Sequence, residues 1–366
     1  MVIQQIINFL EEIAPTSYQE NYDNAGLITG SADWECKGAL ISLDATEAVI
    51  REAIQKNCNL VIAHHPIIFS GLKKINGKNY VEQAIITAIK NDIALYAIHT
   101  NLDNVQHGVN GKIAERIGMV NCSVLQHKTG TLKKLFTFVP LAQAEAVRNA
   151  IFLAGGGAIG NYSECSFNTE GEGSFKAGEY TKPFVGEIGE RHIEKEIKLE
   201  VVFPAYLENR ILMAMIEAHP YEEVAYDVIQ LSNNHPSLGA GIIGDLAEPM
   251  DETAFLRLLK DRFQVSAIKH TALCGKLVQR IACCGGAGSF LIVSALSKAA
   301  DFFITSDLKY HEFFDANNRL VIADIGHYES EQFTIDLLHE ILKGKFSSFA
   351  LLKTEVNTNP VNYFID

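Results

Sequence analysis

Short hydrophobic runs alternate with segments of helical spacing through the first third of the chain. Three brief, continuous runs are typical of buried strands: Ala39–Leu43, Leu60–Ala63 and Ile93–Ile98. Three segments repeat apolar residues every three or four positions and predict helices: Thr46–Lys56, Val81–Lys90 and Asn110–Ile117. Strands separated by helices favour a largely parallel sheet with helices on its faces.

The last third of the chain resumes this alternation. Helical spacing covers Thr253–Phe263, Ser289–Lys298, His311–Ala316 and Glu329–Leu342. Extended runs cover Arg280–Cys284, Phe302–Thr305, Leu320–Ile325 and Ser348–Leu352. The predicted fold class is therefore α/β, with mostly parallel sheets flanked by helices.

The middle of the chain has a different order of elements. It is predicted as strand, helix, a polar glycine-bearing stretch reaching Gly189, then strand, helix and strand. This order is typical of a ferredoxin-like α+β domain. We expect residues 128–234 to form such a domain, inserted between the two halves of an α/β domain, residues 1–127 and 235–366.

Charge and composition narrow the classes of protein. The 366 residues carry a formal net charge of −13. The chain contains no long run of Lys or Arg, which disfavours general nucleic-acid binding. No apolar run reaches the ~20 residues of a membrane span. The N-terminal segment carries Glu11 and Glu12 where a signal peptide would stay apolar, so it is predicted as a short helix ended by Pro15.

Cysteine usage indicates a reducing compartment. The seven cysteines are odd in number, and no two of them have the C-x-x-C spacing of a zinc or redox motif. A secreted disulfide scaffold would have a different pattern. We expect reduced thiols in a cytoplasmic protein.

The sequence A-H-H-P places two histidines where a predicted strand ends. His64 and His65 follow the apolar run, and Pro66 stops the strand. Ligands of open α/β sheets bind beyond the carboxyl ends of strands, and imidazole is the commonest metal ligand. The alternative is a pair of loop histidines bonded to the backbone.

Two further groups follow predicted strands. I-H-T-N-L-D offers His99 and Asp103, although a lone Asp is more often a cap of the following loop. G-H-Y-E-S-E offers His327 and Glu331, which a helix would place on one face. In isolation, that pair is more typical of an exposed helix start.

Together the three groups are more informative than each alone. All are expected at the same edge of the predicted sheet, where they supply three histidines and two carboxylates. Five ligands exceed the three or four that a single zinc ion takes from protein, so two ions are the better explanation. Histidine and carboxylate suit zinc, iron, manganese, cobalt or nickel, and the sequence does not select among them.

Two more loops are expected near this edge. C-G-G-A-G-S, residues 284–289, could cradle an anion, although a tight strand–helix turn is the simpler interpretation. T-S-D-L-K-Y-H offers Asp307 and His311, although an Asp at this position is more typical of a helix cap. His219 is interpreted as a structural or interface histidine of the inserted domain.

Several motifs in order resemble one known family. They are Y-D-N-A-G-L at 22–27, S-L-D-A-T at 42–46, A-H-H-P, H-T-N-L-D, C-G-G-A-G-S, T-S-D-L-K-Y-H and G-H-Y-E-S-E. The chain resembles, end to end, the long bacterial form of the Nif-three-like family, whose members are often labelled GTP cyclohydrolase 1 type 2 homologues. Tyr22 in place of Trp is a modest departure from the family pattern.

This resemblance implies a dinuclear metal site with His64, His65, Asp103, His327 and Glu331 as ligands. It also implies a homohexameric ring whose metal sites face an inner cavity, with PII- or CutA-like inserts over the openings. The family's label implies ring opening of GTP.

The function that best fits the sequence is a dinuclear-metal hydrolase of a small, nucleotide-like substrate. His99, Asp307 and His311 are candidates for proton transfer or for orienting the metal ligands. The alternative is a metal-storage, metal-delivery or regulatory ring without turnover. A nucleic-acid-binding ring is disfavoured by the acidic balance.

Overall fold

The chain folds into two compact units in the computed structural model, which describes residues 1–364. One unit comprises Met1–His127 together with the chain from Ser237 onward, and the other comprises Lys128–Pro236. We refer to them as the host unit and the insert. Among residues 1–364, no helix is long and apolar enough to cross a membrane.

The strands are named in chain order. They are β1 Gly26–Thr29, β2 Ala39–Asp44, β3 Leu60–His65, β4 Ala94–Ala97, β5 Met119–His127, β6 Leu132–Pro140, β7 Phe167–Lys176, β8 Arg191–Pro204, β9 Tyr226–Gln230, β10 Gly239–Asp251, β11 Lys269–His270, β12 Leu277–Ala287, β13 Phe302–Ser306, β14 Val321–Asp324 and β15 Leu351–Lys353.

The α-helices are named in the same way. They are α1 Ile3–Ile13, α2 Glu47–Gln55, α3 Tyr80–Lys90, α4 Thr100–Asp103, α5 Val109–Ile117, α6 Ala144–Leu153, α7 Glu208–Ala218, α8 Glu252–Phe263, α9 Ile292–Ser297, α10 His327–Glu331 and α11 Thr334–Lys345. Short 3₁₀ turns cover Thr16–Tyr18, Ala205–Leu207, Ser289–Leu291 and Tyr310–Ala316.

The first sheet of the host unit has the order β1-β4-β3-β2-β15. Its inner pairs are parallel, and only the edge strand β1 runs antiparallel to its neighbour β4. Alternate residues enter two cores, because successive side chains of a strand point to opposite faces. Leu40 and Val61 pack with α2 and α3, whereas Ile41 and Ile62 pack with α1 and α11.

The second sheet of the host unit is mixed, with the order β11-β14-β13-β12-β10-β5. Its β12–β13 and β13–β14 pairs are parallel, but β10 pairs antiparallel with both β12 and β5. The expectation of mostly parallel sheets is therefore wrong for this sheet. The antiparallel strands β5 and β10 come directly before and directly after the insert in the chain. No helical segment of the host unit lies between them in the sequence.

The insert contains a wholly antiparallel sheet with the order β7-β8-β6-β9. Along the chain its elements run β6-α6-β7-β8-α7-β9. Helices α6 and α7 pack on one face, where Leu135, Leu199 and Val201 join their apolar residues in one core. The other face carries Phe138, Glu196 and Lys198. Strand β7 lies in the glycine-bearing stretch, where the sequence pattern predicts no strand.

Candidate metal centre

The candidate ligands gather at strand ends from both sheets of the host unit. His64 and His65 end β3, and Asp103 ends the short helix α4 that follows β4. His327 and Glu331 are the first and last residues of α10, which follows β14. The sequence interpretation of one shared sheet edge is therefore wrong. The carboxyl ends of two sheets converge on the cluster, which joins residues up to 267 positions apart in the chain.

Each histidine of the cluster is oriented through its Nδ1 atom. His64 Nδ1 lies 2.8 Å from the carbonyl oxygen of Ile98, so it must donate the hydrogen bond. His65 Nδ1 lies 2.8 Å from Asp44 Oδ1, and His327 Nδ1 lies 2.7 Å from Asp307 Oδ2. Fixing the proton on Nδ1 leaves the Nε2 lone pair for a metal, which is the usual arrangement of metal-ligating histidines.

The pairing of His65 with Asp44 follows from strand register. Asp44 on β2 is the parallel partner of His65 on β3. Both residues therefore extend from the same position at the sheet's carboxyl edge. Asp44 is further held by Thr358, whose hydroxyl donates to Oδ2 at 2.5 Å.

Glu331 lies at the centre of the cluster. Its Oε2 atom is 2.9 Å from His65 Nε2, 3.1 Å from His327 Nε2 and 3.9 Å from His64 Nε2. Its side chain is only 3% exposed. Gly286 permits this position, because its φ is +60° and a Cβ there would approach Glu331 Oε1 to 2.5 Å.

Two polar atoms deep in the cluster have no hydrogen-bond partner. They are His64 Nε2 and Asp103 Oδ1, both buried and 3.5 Å apart. Orphaned buried polar atoms are costly and call for an explanation. A cation shared by an imidazole nitrogen and a carboxylate oxygen would satisfy both, so the residues fit a metal ion.

Three groups in residues 1–364 bring ligand atoms within 4.8 Å of one another. They are His64–Asp103–Glu331, His65–His327–Glu331 and His64–His65–His99. Glu331, His64 and His65 each belong to two of them. The five candidate ligands named from sequence are therefore brought together.

The histidines of the cluster differ in the direction of their pKa shifts. Burial lowers the pKa of His64 to about 3, so this imidazole is neutral. Burial acts in the same direction on His65 and His327, but hydrogen bonds to carboxylates outweigh it. The pKa of His65 rises to about 10 and that of His327 to about 9.

The two carboxylates shift in opposite directions. Burial, followed by the negative charge of Glu331, raises the pKa of Asp103 well above its usual value. Burial also opposes ionisation of Glu331, but hydrogen bonds from His327 and His65 hold its pKa well below the usual value. Without a cation, protons balance the charge of the cluster; a divalent ion would replace them.

His99 lies beside the cluster, held by a carboxylate. Its Nδ1 is 2.7 Å from Asp23 Oδ1, and its ring centroid lies 5.2 Å from that of His64. Asp23 Oδ2 also accepts hydrogen bonds from the backbone and hydroxyl of Thr100. Burial opposes ionisation of Asp23, but these bonds lower its pKa to about 2.

The remaining sequence candidates lie in different places. Asp307 orients His327 and does not cap a helix, and its side chain is 51% exposed. His311 is exposed in the 3₁₀ turn, where its ring contacts that of Tyr310 edge to face, and it belongs to none of the three groups in residues 1–364. The glycine loop is not a free anion cradle, because Gly285 and Gly286 donate their amides to Asn110 and Ser330.

Sequence reasoning did not assign roles to Asp23 and Asp44. Both occur in motifs of the family pattern, Y-D-N-A-G-L and S-L-D-A-T. Their roles could have been suspected because a metal-ligating imidazole usually donates its other N–H to a carboxylate or a carbonyl. Their partners, however, are fixed by register and by loop packing, which one sequence does not reveal.

The mixed α/β fold and the histidine–carboxylate cluster define the class: an α/β protein with a candidate metal centre. The sequence model of the protein family Duf34/NIF3 (NGG1p interacting factor 3) matches residues 1–360. The chain belongs to this family.

Similar proteins match over almost the entire chain. A Bacillus subtilis protein named GTP cyclohydrolase 1 type 2 homolog is 38% identical, with 98% of each chain covered. The crystal structure of a Bacillus cereus protein related to NIF3 is 36% identical, covers 100% of this chain and 99% of that one, and gives a TM-score of 0.85. A Staphylococcus aureus structure with 28% identity covers the same shares and gives a TM-score of 0.80.

Proposed function

We propose that this chain is a hydrolase of a small, nucleotide-like substrate that depends on two divalent metal ions. The supporting observation is the convergence of His64, His65, Asp103, His327 and Glu331, with a buried imidazole nitrogen and a buried carboxylate oxygen left unpartnered. Apolar packing would not require these two atoms to face each other. Cation binding does.

The sharing of Glu331 supports two ions over one. His64 and Asp103 would hold one ion, His65 and His327 the other, and Glu331 would contact both. Asp103 is the second candidate for a shared carboxylate. Paired divalent ions supply Lewis-acid chemistry, polarising carbonyl or phosphoryl oxygens and lowering the pKa of water.

The surrounding residues supply orientation and proton transfer. Asp44 and Asp307 hold the rings of His65 and His327, so that both Nε2 atoms face the cluster. The Nε2 atom of His99 is the candidate proton carrier, because Asp23 fixes the other nitrogen. The open side of the site lies at His327, whose side chain is 39% exposed, so we expect substrate to enter there.

The first test is metal content by mass spectrometry on untagged protein. We expect about two ions per chain in the wild type, as a paired site requires, and a sharp fall in Asp103→Ala. Asp315→Ala removes an exposed carboxylate outside the three groups and should leave the content unchanged. Less than half an ion per chain in both wild type and Asp103→Ala, after metal is added back, would overturn the proposal.

The relatives' name supplies a particular reaction to test. GTP ring opening releases formate, so we expect steady GTP-dependent formate production that His64→Ala abolishes. If neither GTP nor a panel of other nucleotides turns over with any divalent metal while two ions are bound, hydrolysis is wrong. The non-catalytic metal-delivery or regulatory function would then stand.

The family resemblance also motivates a proposal about architecture. We expect a homohexamer, measurable by light scattering on the full chain. We further propose that the insert is ferredoxin-like, as in PII and CutA proteins. The order β6-α6-β7-β8-α7-β9 and the antiparallel sheet of the insert support this class.

A further inference from the structure

The insert contains a cavity of about 680 Å³ on the face of its sheet opposite helices α6 and α7. Strands β6, β7 and β8 form its floor, and residues 177–184 and 221–225 form its walls. A volume of this size matches the pockets that bind small organic molecules. The metal centre makes no use of this cavity, since all of its candidate ligands belong to the host unit.

Aromatic rings form much of the cavity wall. Phe138, Phe175, Phe184 and Tyr221 all line it. The centroid of Tyr221 lies 6.0 Å from that of Phe175 and 6.3 Å from that of Phe184, so the three rings form one cluster. Such clusters offer their negative ring faces to cations as well as apolar area to a ligand's hydrocarbon body.

A buried carboxylate lies next to this cluster. Glu196 on β8 is only 8% exposed, and its Oε1 accepts a hydrogen bond of 2.8 Å from the hydroxyl of Tyr221. Burial, and then Glu196 itself, raise the pKa of Tyr221, so the phenol stays a donor. The other oxygen of Glu196 lies over Gly173, where any side chain would collide with it.

Glycines on β7 keep the floor clear. A Cβ at Gly171 would meet nothing within 4 Å, which leaves open space above the strand. Gly171 and Gly173 lie on the same face of β7, because they are two residues apart. Glycine weakens a strand interior, and it often marks a place where a ligand or another backbone approaches closely.

The charge of the lining selects the kind of ligand. Five glutamates and two lysines line the cavity, but Glu170, Glu172 and Lys176 point to the face of β7 opposite Gly171 and Gly173. The remaining charged lining consists of three glutamates, at 196, 222 and 223, against Lys198. Lys198 is already paired with Glu200 at 2.9 Å. This excess of negative charge repels phosphates and carboxylates, and it attracts a cation.

The geometry points to a binding site for a small organic cation, an ammonium or amidinium group carried on a hydrophobic body. The charged group would lie between Glu196 and the ring faces of Tyr221 and Phe175, and the hydrophobic body would lie against Phe138 and Phe184. A metal ion is a poorer match, because a metal site does not need aromatic walls.

Two matched pairs of probes test this site on the full, metal-loaded chain by isothermal titration calorimetry. Phenethylamine is compared with 2-phenylethanol, and choline with 3,3-dimethylbutan-1-ol. We expect at least one cation to bind about tenfold more tightly than its neutral analogue, since a desolvated cation–π contact or a charge-assisted hydrogen bond is worth that much.

Three variants test whether the cation binds in this cavity. Glu196→Gln keeps the shape and should weaken the cation about tenfold, as loss of one charge-assisted contact would. Glu217→Gln makes the same charge change on α7, outside the cavity lining, and should have no effect. Phe184→Ala, on the half-exposed loop, should weaken both members of a pair without unfolding the insert.

Equal affinity for cation and neutral analogue would overturn the inference. So would cation binding that Glu196→Gln leaves unchanged. Should Glu196→Gln melt early by circular dichroism, Phe184→Ala tests the same cavity, since loss of one wall must reduce binding there. Unchanged cation affinity in Phe184→Ala would then overturn the inference. The metal content of the host unit does not enter either outcome.

Discussion

The candidate metal centre of the host unit and the cavity of the insert both contain buried carboxyl groups, but they arrange them differently. In the metal centre, five side chains turn their ligand atoms toward one another, and two buried polar atoms are left without partners. In the cavity, the buried carboxylate Glu196 has its own donor, Tyr221, and aromatic walls enclose about 680 Å³ of space. The first gathers imidazole nitrogens and carboxylate oxygens at short range, and the second offers aromatic faces around an open space.

If both sites bind as proposed, this difference would let one protein distinguish a divalent metal ion from a singly charged organic cation. A compact divalent ion needs several ligand atoms at about 2 Å, so its site must hold carboxylates and imidazoles close together. The free energy that this crowding costs is offset when the ion binds. An organic cation spreads its charge, and it can be held by ring faces and one carboxylate. The two sites can therefore be lost independently.

The strongest test of this independence is Glu331→Gln. Glu331 contacts three imidazoles, so removing its charge should abolish stable binding of both ions, because each loses its shared ligand. Metal content by mass spectrometry should fall to background, and phenethylamine binding by the insert should not change. The converse variant, Glu196→Gln, should keep its full metal content. A change in both readouts in either variant would contradict separate sites.

The next largest effect is the pH dependence of metal affinity. The pKa values of about 10 for His65 and about 9 for His327 mean that both carry protons at neutral pH without metal. Metal must displace them, so affinity falls as pH falls, by up to about a hundredfold per pH unit for two protons. Competition for zinc against a chelator of known pH dependence, between pH 6 and 8, measures this slope. A flat profile would show that the ligands are not protonated in the metal-free protein.

A smaller effect is expected from Asp44→Asn. Asp44 orients His65 without belonging to any ligand group in residues 1–364, so its loss should weaken zinc about 10- to 100-fold and leave binding stoichiometric at high metal. Asp33→Asn, an exposed carboxylate in the same unit, is the matched control. Equal zinc affinities for wild type and Asp44→Asn would remove Asp44 from the centre.

The smallest effect is a pH response of the insert. His219 Nδ1 accepts from the amide of Tyr221, and its Nε2 donates to the carbonyl of Phe138, so the neutral ring satisfies both bonds. Burial lowers its pKa below 6.5. The unfolded chain therefore binds a proton first as pH falls, and the stability present above pH 6.5 is progressively lost below it.

Thermal melts followed by circular dichroism test this response. Between pH 7.5 and 5.5 we expect the wild-type insert to lose a few degrees more than His219→Gln, whose side chain does not titrate. Identical pH dependence in the two proteins would mean that His219 is not held neutral by its surroundings. The metal centre should not alter the comparison if both proteins are measured with excess zinc.

Much of the first sheet could be predicted because each element has its own local signal. The run predicted as Leu60–Ala63 is β3, and the periodic segment Thr46–Lys56 contains α2. The same local rule missed β5 and β10, because neither is a continuous apolar run: polar residues interrupt β5, and glycines, acidic residues and Pro249 interrupt β10. The predicted helix Glu329–Leu342 is divided between α10 and α11, because the turn at Gln332–Phe333 is set by packing, not by periodicity.

The ligand residues could be named, but their geometry could not. Histidines and carboxylates at strand ends are visible in the sequence, and all five come together. Asp307 could be named as a residue that orients a ligand or transfers a proton, but its partner could not, because His327 lies 20 residues away on another element. Nor could a single sequence indicate that two sheets, not one, supply the ligands, since strand order and sheet membership depend on long-range pairing.

The position of Glu331 in the chain has a consequence for how the protein is made. His65 is synthesised 266 residues before Glu331, so ribosomes working at 5–20 residues per second leave roughly 13 to 53 seconds between them. During that interval the insert is synthesised, and His64 and His65 are present without the carboxylate of Glu331. The candidate centre is therefore complete only when translation is nearly finished, and a chain that ends before Glu331 lacks the residue shared by two of its ligand groups.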